Sequence, residues 1–310
     1  MKICVIGGGT GSFTALKGLK KYTNDITAIV SMFDNGGSTG ILRDELGILP
    51  PGDARRCLLA LADETEDNIF RKLFLYRFKN SVQNHSFGNL FLAALTEITG
   101  GESEAIKTAS KILRIKGKVV PVSLNNSNLC VKLENGETIK GETLIDIPRH
   151  DGNLKIVNAW LEPEAKANQE AIKEILKADK IIIGPGDLFS SIIPNFLAKG
   201  IPEAIQQSKA KKIYICNLMT KHGETTNFTA ADHLKEIIKY STKPDAIICN
   251  SMQPEENLLK KYAKEKKYPV KIDEKEIQKL GVNIITKEVA CAKDFVRHDS
   301  DKLAKTILNT

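Results

Sequence analysis

The sequence predicts an α/β protein: a Rossmann-like, doubly wound and mainly parallel sheet with an inserted helical cap and a small β-rich excursion. Two observations carry this. Short apolar runs alternate with helical patterns over most of the 310 residues, the rhythm of parallel strands joined by crossover helices. Several of those runs are also continuously apolar instead of alternating, as a strand covered on both faces requires.

In order along the chain, strands are expected at residues 2–6, 26–31, 180–183, 212–216 and 246–249. Helical periodicity places helices at 12–20, 201–208, 230–239, 255–264 and 300–308. Two stretches break the alternation. Between about 53 and 115 only helical patterns occur (54–61, 69–78, 88–98 and 104–113), which reads as a helical cap inserted after the second strand. Residues from about 117 to 160 read as short strands with turns at Asn135-Gly136, Lys140-Gly141 and Asp151-Gly152. The expected organisation is one Rossmann-like domain over 1–310, without repeats or low-complexity tracts.

Composition narrows the class. Hydrophobic residues make up 42% and charged residues 27%, the balance of a globular chain. The net charge of +7 favours phosphate-bearing partners without saying which kind, and nucleic acid is not expected. Six cysteines (Cys4, Cys57, Cys130, Cys216, Cys249, Cys291) lack any C-x-x-C spacing and read as buried thiols of a reducing compartment. No apolar run approaches the roughly 18 residues of a membrane span, and the amino terminus does not resemble a signal peptide. The expectation is a cytoplasmic protein. The lysines between Lys260 and Lys267 read as a solvated helix face.

Three glycine-rich turns stand out. The first strand runs into Gly7-Gly8-Gly9-Thr10-Gly11-Ser12 and then a helix, the order in which a phosphate rests on amide N–H groups at a helix start. Ser12 stands where the dinucleotide fingerprint has its third glycine. The second strand ends in Phe33-Asp34-Asn35-Gly36-Gly37-Ser38-Thr39-Gly40, followed by Arg43. Asp34 could take the ribose role of a nicotinamide enzyme, but the adjoining glycines better suit an anion, a sugar or a carboxylate-bound metal. A third turn, Gly184-Pro185-Gly186-Asp187-Leu188-Phe189-Ser190-Ser191, follows an apolar strand. Open α/β sheets bind ligands at the carboxyl ends of their strands, so all three turns belong on one edge.

Two further strands end in amides, at Asn217 and Asn250, which either meet a ligand or only cap turns. The five histidines show no metal spacing, and no G-x-S-x-G elbow occurs. The segments Lys221-His222-Gly223-Glu224-Thr225 and His85-Ser86-Phe87-Gly88-Asn89 could supply polar groups to the pocket. Near the end, Arg297-His298-Asp299-Ser300 precedes the last helix. Asp299 or Ser300 suits its N-cap, and the fork of Arg297 matches phosphate oxygens.

In combination these residues resemble the YvcK family of gluconeogenesis factors, within the CofD-like (2-phospho-L-lactate transferase-like) superfamily. The likeness rests on Gly7 to Ser12, Asp34 to Gly40 with Arg43, Gly88-Asn89-Leu90, Gly184 through Asn195, Cys216 to Thr220 and Arg297-His298-Asp299. It implies a cytoplasmic protein that binds UDP-sugars such as UDP-N-acetylglucosamine and is needed for cell shape and growth on gluconeogenic carbon sources. The third turn usually reads Gly-Pro-Gly-Ser-Leu-Tyr-Thr-Ser in that family, whereas this chain has Asp187, Phe189 and Ser190 in it. A carboxylate there repels a diphosphate unless a helix start, a cation or an outward orientation offsets it. The acid-rich motif expected of the deazaflavin-using transferase branch is not visible, which favours a regulatory role.

The expected ligand contacts are therefore Gly8, Gly9, Thr10 and Gly11 on the diphosphate, with Gly184 and Gly186 of the third turn nearby. Asp34, Asn35, Gly36, Gly37 and Ser38 shape the sugar end, Asn217 and Asn250 orient polar groups, and Arg297 clamps. The alternative is a transferase of a phosphate-containing group, with Mg²⁺ on Asp34 and Asp187, since that ion takes one or two carboxylates plus phosphate oxygens. No catalytic residue is assigned. A protein partner in cell-wall metabolism and self-association of the chain stay open.

Overall fold

A parallel sheet of seven strands forms the centre of the structure, a computed structural model that describes residues 1–64, 69–78 and 84–310. In chain order the strands are β1 (Ile3–Gly7), β2 (Ile26–Val30), β3 (Lys118–Pro121), β4 (Asn128–Leu133), β5 (Thr138–Lys140), β6 (Ile156–Glu162), β7 (Lys180–Ile183), β8 (Lys211–Ile215), β9 (Ala246–Asn250), β10 (Asn283–Lys287), β11 (Ala290–Ala292) and β12 (Val296–His298). The central sheet is ordered β3-β2-β1-β7-β8-β9-β10, with every neighbouring pair parallel. Strand order reverses between β1 and β7. That switch point leaves a crevice where connections depart to opposite sides, the place where α/β sheets receive ligands.

The continuous apolar runs follow from burial on two faces. In β1, Ile3 and Val5 point into one core and Cys4 and Ile6 into the other; in β7, Ile182 joins the first, while Ile181 and Ile183 join the second. The first core is closed by helices α1 (Gly9–Leu19), α3 (Gly52–Leu61), Phe87–Thr99, Glu102–Ile112 and Ser300–Asn309, through Leu16, Leu58, Leu92, Ile106 and Leu303. Helix α2 (Gly37–Leu46) sits at the mouth of the crevice, after the second glycine turn. The inserted helices thus form the connection from β2 to β3 and share the core of the main sheet.

The second core is covered by a three-stranded antiparallel sheet, β5-β4-β6. Its Leu129, Val131 and Leu161 pack with Ile6, Phe33 and Ile183. Helices Gln169–Lys177, Ile201–Gln207 and Ala230–Tyr240 complete that face through Ile175, Ile205 and Leu234.

All five strands expected from the sequence are present, their ends shifted by about a residue. The stretch 117–160 gives its first strand, β3, to the edge of the central sheet, so the excursion proper is β4 to β6. Strand β10 and the β11–β12 hairpin escape the sequence reading. β10 is an edge strand in which only Ile284 and Ile285 are apolar, and both are half-buried. The hairpin strands have three residues each, too few to show a period.

Candidate functional site

At the carboxyl ends of β1, β2, β7 and β8 lies one cleft of about 890 Å³, lined by residues of all three glycine turns, among them Gly9, Gly36 and Gly186. In the first turn, Gly8 is the N-cap of α1 and Gly9 has φ +66. A Cβ on Gly11 would meet the carbonyl oxygen of Pro185 at 2.3 Å, so glycine is what lets α1 seat against the third turn. Gly9 N–H donates to Oδ1 of Asp53 at 2.9 Å. This buried carboxylate comes from the first turn of α3 and occupies the positive end of α1. Burial, with Asp34 adding to it, pushes Asp53 up to about 6 against the pull of Arg56 and the Gly9 N–H.

In the second turn, Asp34 Oδ1 accepts the Gly36 N–H at 2.7 Å. Asp34 also faces Glu142, from the helix Glu142–Asp146 that follows β5. Burial first, then Asp34 and Asp146, push Glu142 up to about 9, and a hydrogen bond joins its carboxyl to Asp34. Glu142 is therefore the member of the pair that keeps its proton at neutral pH. Behind them, Arg55 Nε donates to Asn89 Oδ1 at 2.8 Å, Asn89 Nδ2 donates to Ser38 Oγ at 3.1 Å, and Ser38 Oγ bonds His85 Nδ1 at 2.7 Å. The inserted helices thereby fix the second turn from the side.

In the third turn, the N–H groups of Phe189 and Ser190 donate to Glu224 at 3.0 and 3.3 Å, and Ser190 Oγ donates to it at 2.8 Å. Lys221 answers this buried charge. Its ammonium lies 2.9 Å from Glu224 and 2.8 Å from Asp187, and it also bonds Asp146. Burial alone would lower the lysine; Glu224, Asp187 and Asp146 outweigh it and hold the ammonium charged. Asp187 thus shares one cation with two other carboxylates. Asp146, Asp187 and Glu224 stand close enough to share one positive ion, and Lys221 takes that place.

Further cations line the cleft. Arg55, Arg56 and Arg77 come from the inserted segment, and Arg297 comes from β12; all four border the cleft. Burial first, then Arg56 and Arg77, bring Arg55 down to about 10, the mark of positive charges held together out of water. Burial pulls His298 down to about 4, so its ring is neutral and bonds to the Cys216 backbone. His298 Nε2 and Asn217 Oδ1, both on cleft-lining residues, are buried without a hydrogen-bond partner.

Of the residues singled out from the sequence, Gly8, Gly9, Thr10, Gly11, Asp34, Gly36, Gly37, Ser38, Gly186, Asn217 and Arg297 line the cleft. Gly184 stands behind the lining, its N–H bonded to Ile6 O at 2.9 Å. Asn35 turns away to accept the N–H and hydroxyl of Thr143 at 3.0 and 3.1 Å. Asn250 lies outside that lining: its amide caps a turn, donating to Met252 O at 2.8 Å and accepting Met252 and Val289 N–H at 3.2 Å. It borders a neighbouring hollow of about 300 Å³. Asp53, Glu142 and Arg56 went unread. The adjacent Arg55-Arg56 pair at a helix start was the available signal.

Among the described residues, no helix is long and apolar enough to cross a membrane. Residues 3–290 match the family model described as 2-phospho-L-lactate transferase CofD. The chain is 45% identical over 317 residues to an Aquifex aeolicus protein named "Putative gluconeogenesis factor", covering 99% of this chain and 96% of that one. It is 41% identical over 314 residues to the gluconeogenesis factor of Bacillus subtilis, covering 99% and 97%. A crystal structure of protein BH3568 from Bacillus halodurans superimposes with a TM-score of 0.93 at 41% identity, covering 99% of both chains.

Proposed function

Since the chain belongs to the CofD family, and within it to the gluconeogenesis factors, we propose that it is a regulatory protein that binds a nucleotide sugar, UDP-N-acetylglucosamine being the first candidate, in the cleft at the β1–β7 switch point. The observation that carries this reading is the meeting of three glycine turns with Arg55, Arg56 and Arg77 in one cleft. Main-chain N–H groups at the start of α1 and a cluster of guanidinium groups suit a diphosphate. The carboxylates of Asp34 and Asp146, which line the same cleft, suit sugar hydroxyls as hydrogen-bond acceptors. Arg297, exposed on the β12 edge, is placed to close on the ligand from the carboxyl-terminal hairpin. In the cell, this binding would tie wall-precursor supply to growth on gluconeogenic carbon and to cell shape.

Calorimetric titration with UDP-N-acetylglucosamine, UDP and GDP tests the reading. Saturable heat with the uridine ligands supports it, and no heat with either disposes of it.

One observation favours a second reading, a Mg²⁺-dependent transferase of a phosphate-containing group. The Asp34–Glu142 pair adjoins the same cleft, and a divalent ion on Asp34 would displace the proton of Glu142. Sustained metal-dependent product formation from a labelled nucleotide sugar, abolished in Asp34→Asn, would establish it.

A further inference from the structure

The start of α1, where the nucleotide-sugar reading seats a diphosphate, is already engaged by an anion of the chain itself. Asp53 Oδ1 accepts the Gly9 N–H at 2.9 Å, and an Arg56 guanidinium nitrogen lies 3.8 Å from the same oxygen. A Cβ on Gly8 would meet Asp53 Oδ2 at 2.1 Å, so the carboxylate presses against the main chain of the turn. The first four N–H groups of a helix have no partner within it. In α1, which begins at Gly9, one of these goes to Asp53, while Thr10 and Gly11 border the cleft. A phosphate bound to the remaining N–H groups therefore lies beside a fixed negative charge. Two further cleft-lining residues, His298 and Asn217, each carry a buried polar atom without a hydrogen-bond partner, Nε2 and Oδ1.

We infer that Asp53 sets which phosphate the cleft accepts, selecting a diphosphate diester, as in a nucleotide sugar, over a nucleoside diphosphate with a free terminal phosphate. This rests on the nucleotide-sugar reading and adds the residue that discriminates. Each phosphate of a diester carries one negative charge near neutrality. A terminal phosphate approaches two, its second ionisation falling near pH 6. The neighbouring carboxylate repels the additional charge, while Arg56 offsets only part of it at 3.8 Å. Asp53 itself is mostly ionised at pH 7.5, above its value of about 6.

The test is calorimetry on the full chain at pH 7.5 with EDTA present, using UDP-N-acetylglucosamine and UDP, on the wild type, Asp53→Asn and Asp53→Ser. Asparagine keeps the shape and the acceptor for Gly9 N–H, and serine is a second uncharged replacement should the first fail to fold. The wild type is expected to prefer the nucleotide sugar. Removing the charge should raise UDP affinity about tenfold more than UDP-N-acetylglucosamine affinity. Equal changes for the two ligands, or none, overturn the Asp53 assignment and leave the nucleotide-sugar reading intact. Absence of binding by either ligand to all three chains overturns that reading and the assignment with it.

Discussion

The ammonium of Lys221 lies 2.8 Å from the carboxylate of Asp187, and through it the third glycine turn is tied to the loop after β8. The same ammonium bonds the wholly buried Glu224, which in turn holds the N–H groups of Phe189 and Ser190. The charge that Asp187 brings to the third turn is thus countered in part within the protein, by an ammonium that it shares with Glu224 and Asp146.

Lys221→Met should therefore be strongly destabilising. It leaves Glu224 buried without its counter-charge, a change that costs about 3–5 kcal/mol when one partner of a buried ion pair is removed. Urea unfolding measures it. A loss below about 1 kcal/mol would show the ammonium to be dispensable.

Glu142 gives a pH dependence of definite sign. Its carboxyl is held up to about 9 by burial and Asp34, against an ordinary value of 4.5. Between these limits the folded chain keeps a proton that the unfolded chain has released, so stability falls as pH rises, by at most about 1.4 kcal/mol per pH unit. Thermal unfolding between pH 6 and 9 should show a falling midpoint, and Glu142→Gln should flatten it. A variant with the wild-type slope would place the dependence elsewhere.

Gly11→Ala tests the contact between the first and third turns. The new Cβ would lie 2.3 Å from Pro185 O, a main-chain atom that cannot rotate away. Forced shifts of this kind cost about 1–3 kcal/mol. Loss of nucleotide affinity should accompany the loss of stability, because α1 and the third turn move apart. Unchanged stability and affinity would mean that the two turns give way without consequence.

The central strands were legible because covering both faces forces continuous apolar runs such as Ile181-Ile182-Ile183. The glycine turns were legible because glycines cluster directly after strands, and at Gly11 the main chain of Pro185 leaves no room for a Cβ. What escaped was built from distant parts. Asp53 reads as an ordinary helix-start acid, and its engagement with Gly9 spans 44 residues of chain. Glu142 meets Asp34 only because the β4–β6 excursion folds back over the sheet. Strand-end amides look alike in sequence whether they cap a turn or face a ligand, and at Asn250 Met252 and Val289 engage the amide.

Arg297 separates binding from folding. It is exposed on β12, its guanidinium 5.1 Å from the ring of Phe295. Arg297→Ala should leave unfolding within about 0.5 kcal/mol of wild type, as surface changes do. UDP-N-acetylglucosamine affinity should fall about tenfold or more, the worth of a charge-assisted bond to phosphate. Unaltered affinity would remove Arg297 from the ligand's surroundings.

The most direct measurement is a crystal structure of the chain grown with UDP-N-acetylglucosamine. Diphosphate density within hydrogen-bonding reach of the main chain at Thr10 and Gly11, flanked by Arg55 or Arg56, is the predicted result. A fully occupied ligand elsewhere on the molecule, with the cleft between Gly9, Gly36 and Gly186 left to solvent, would contradict it.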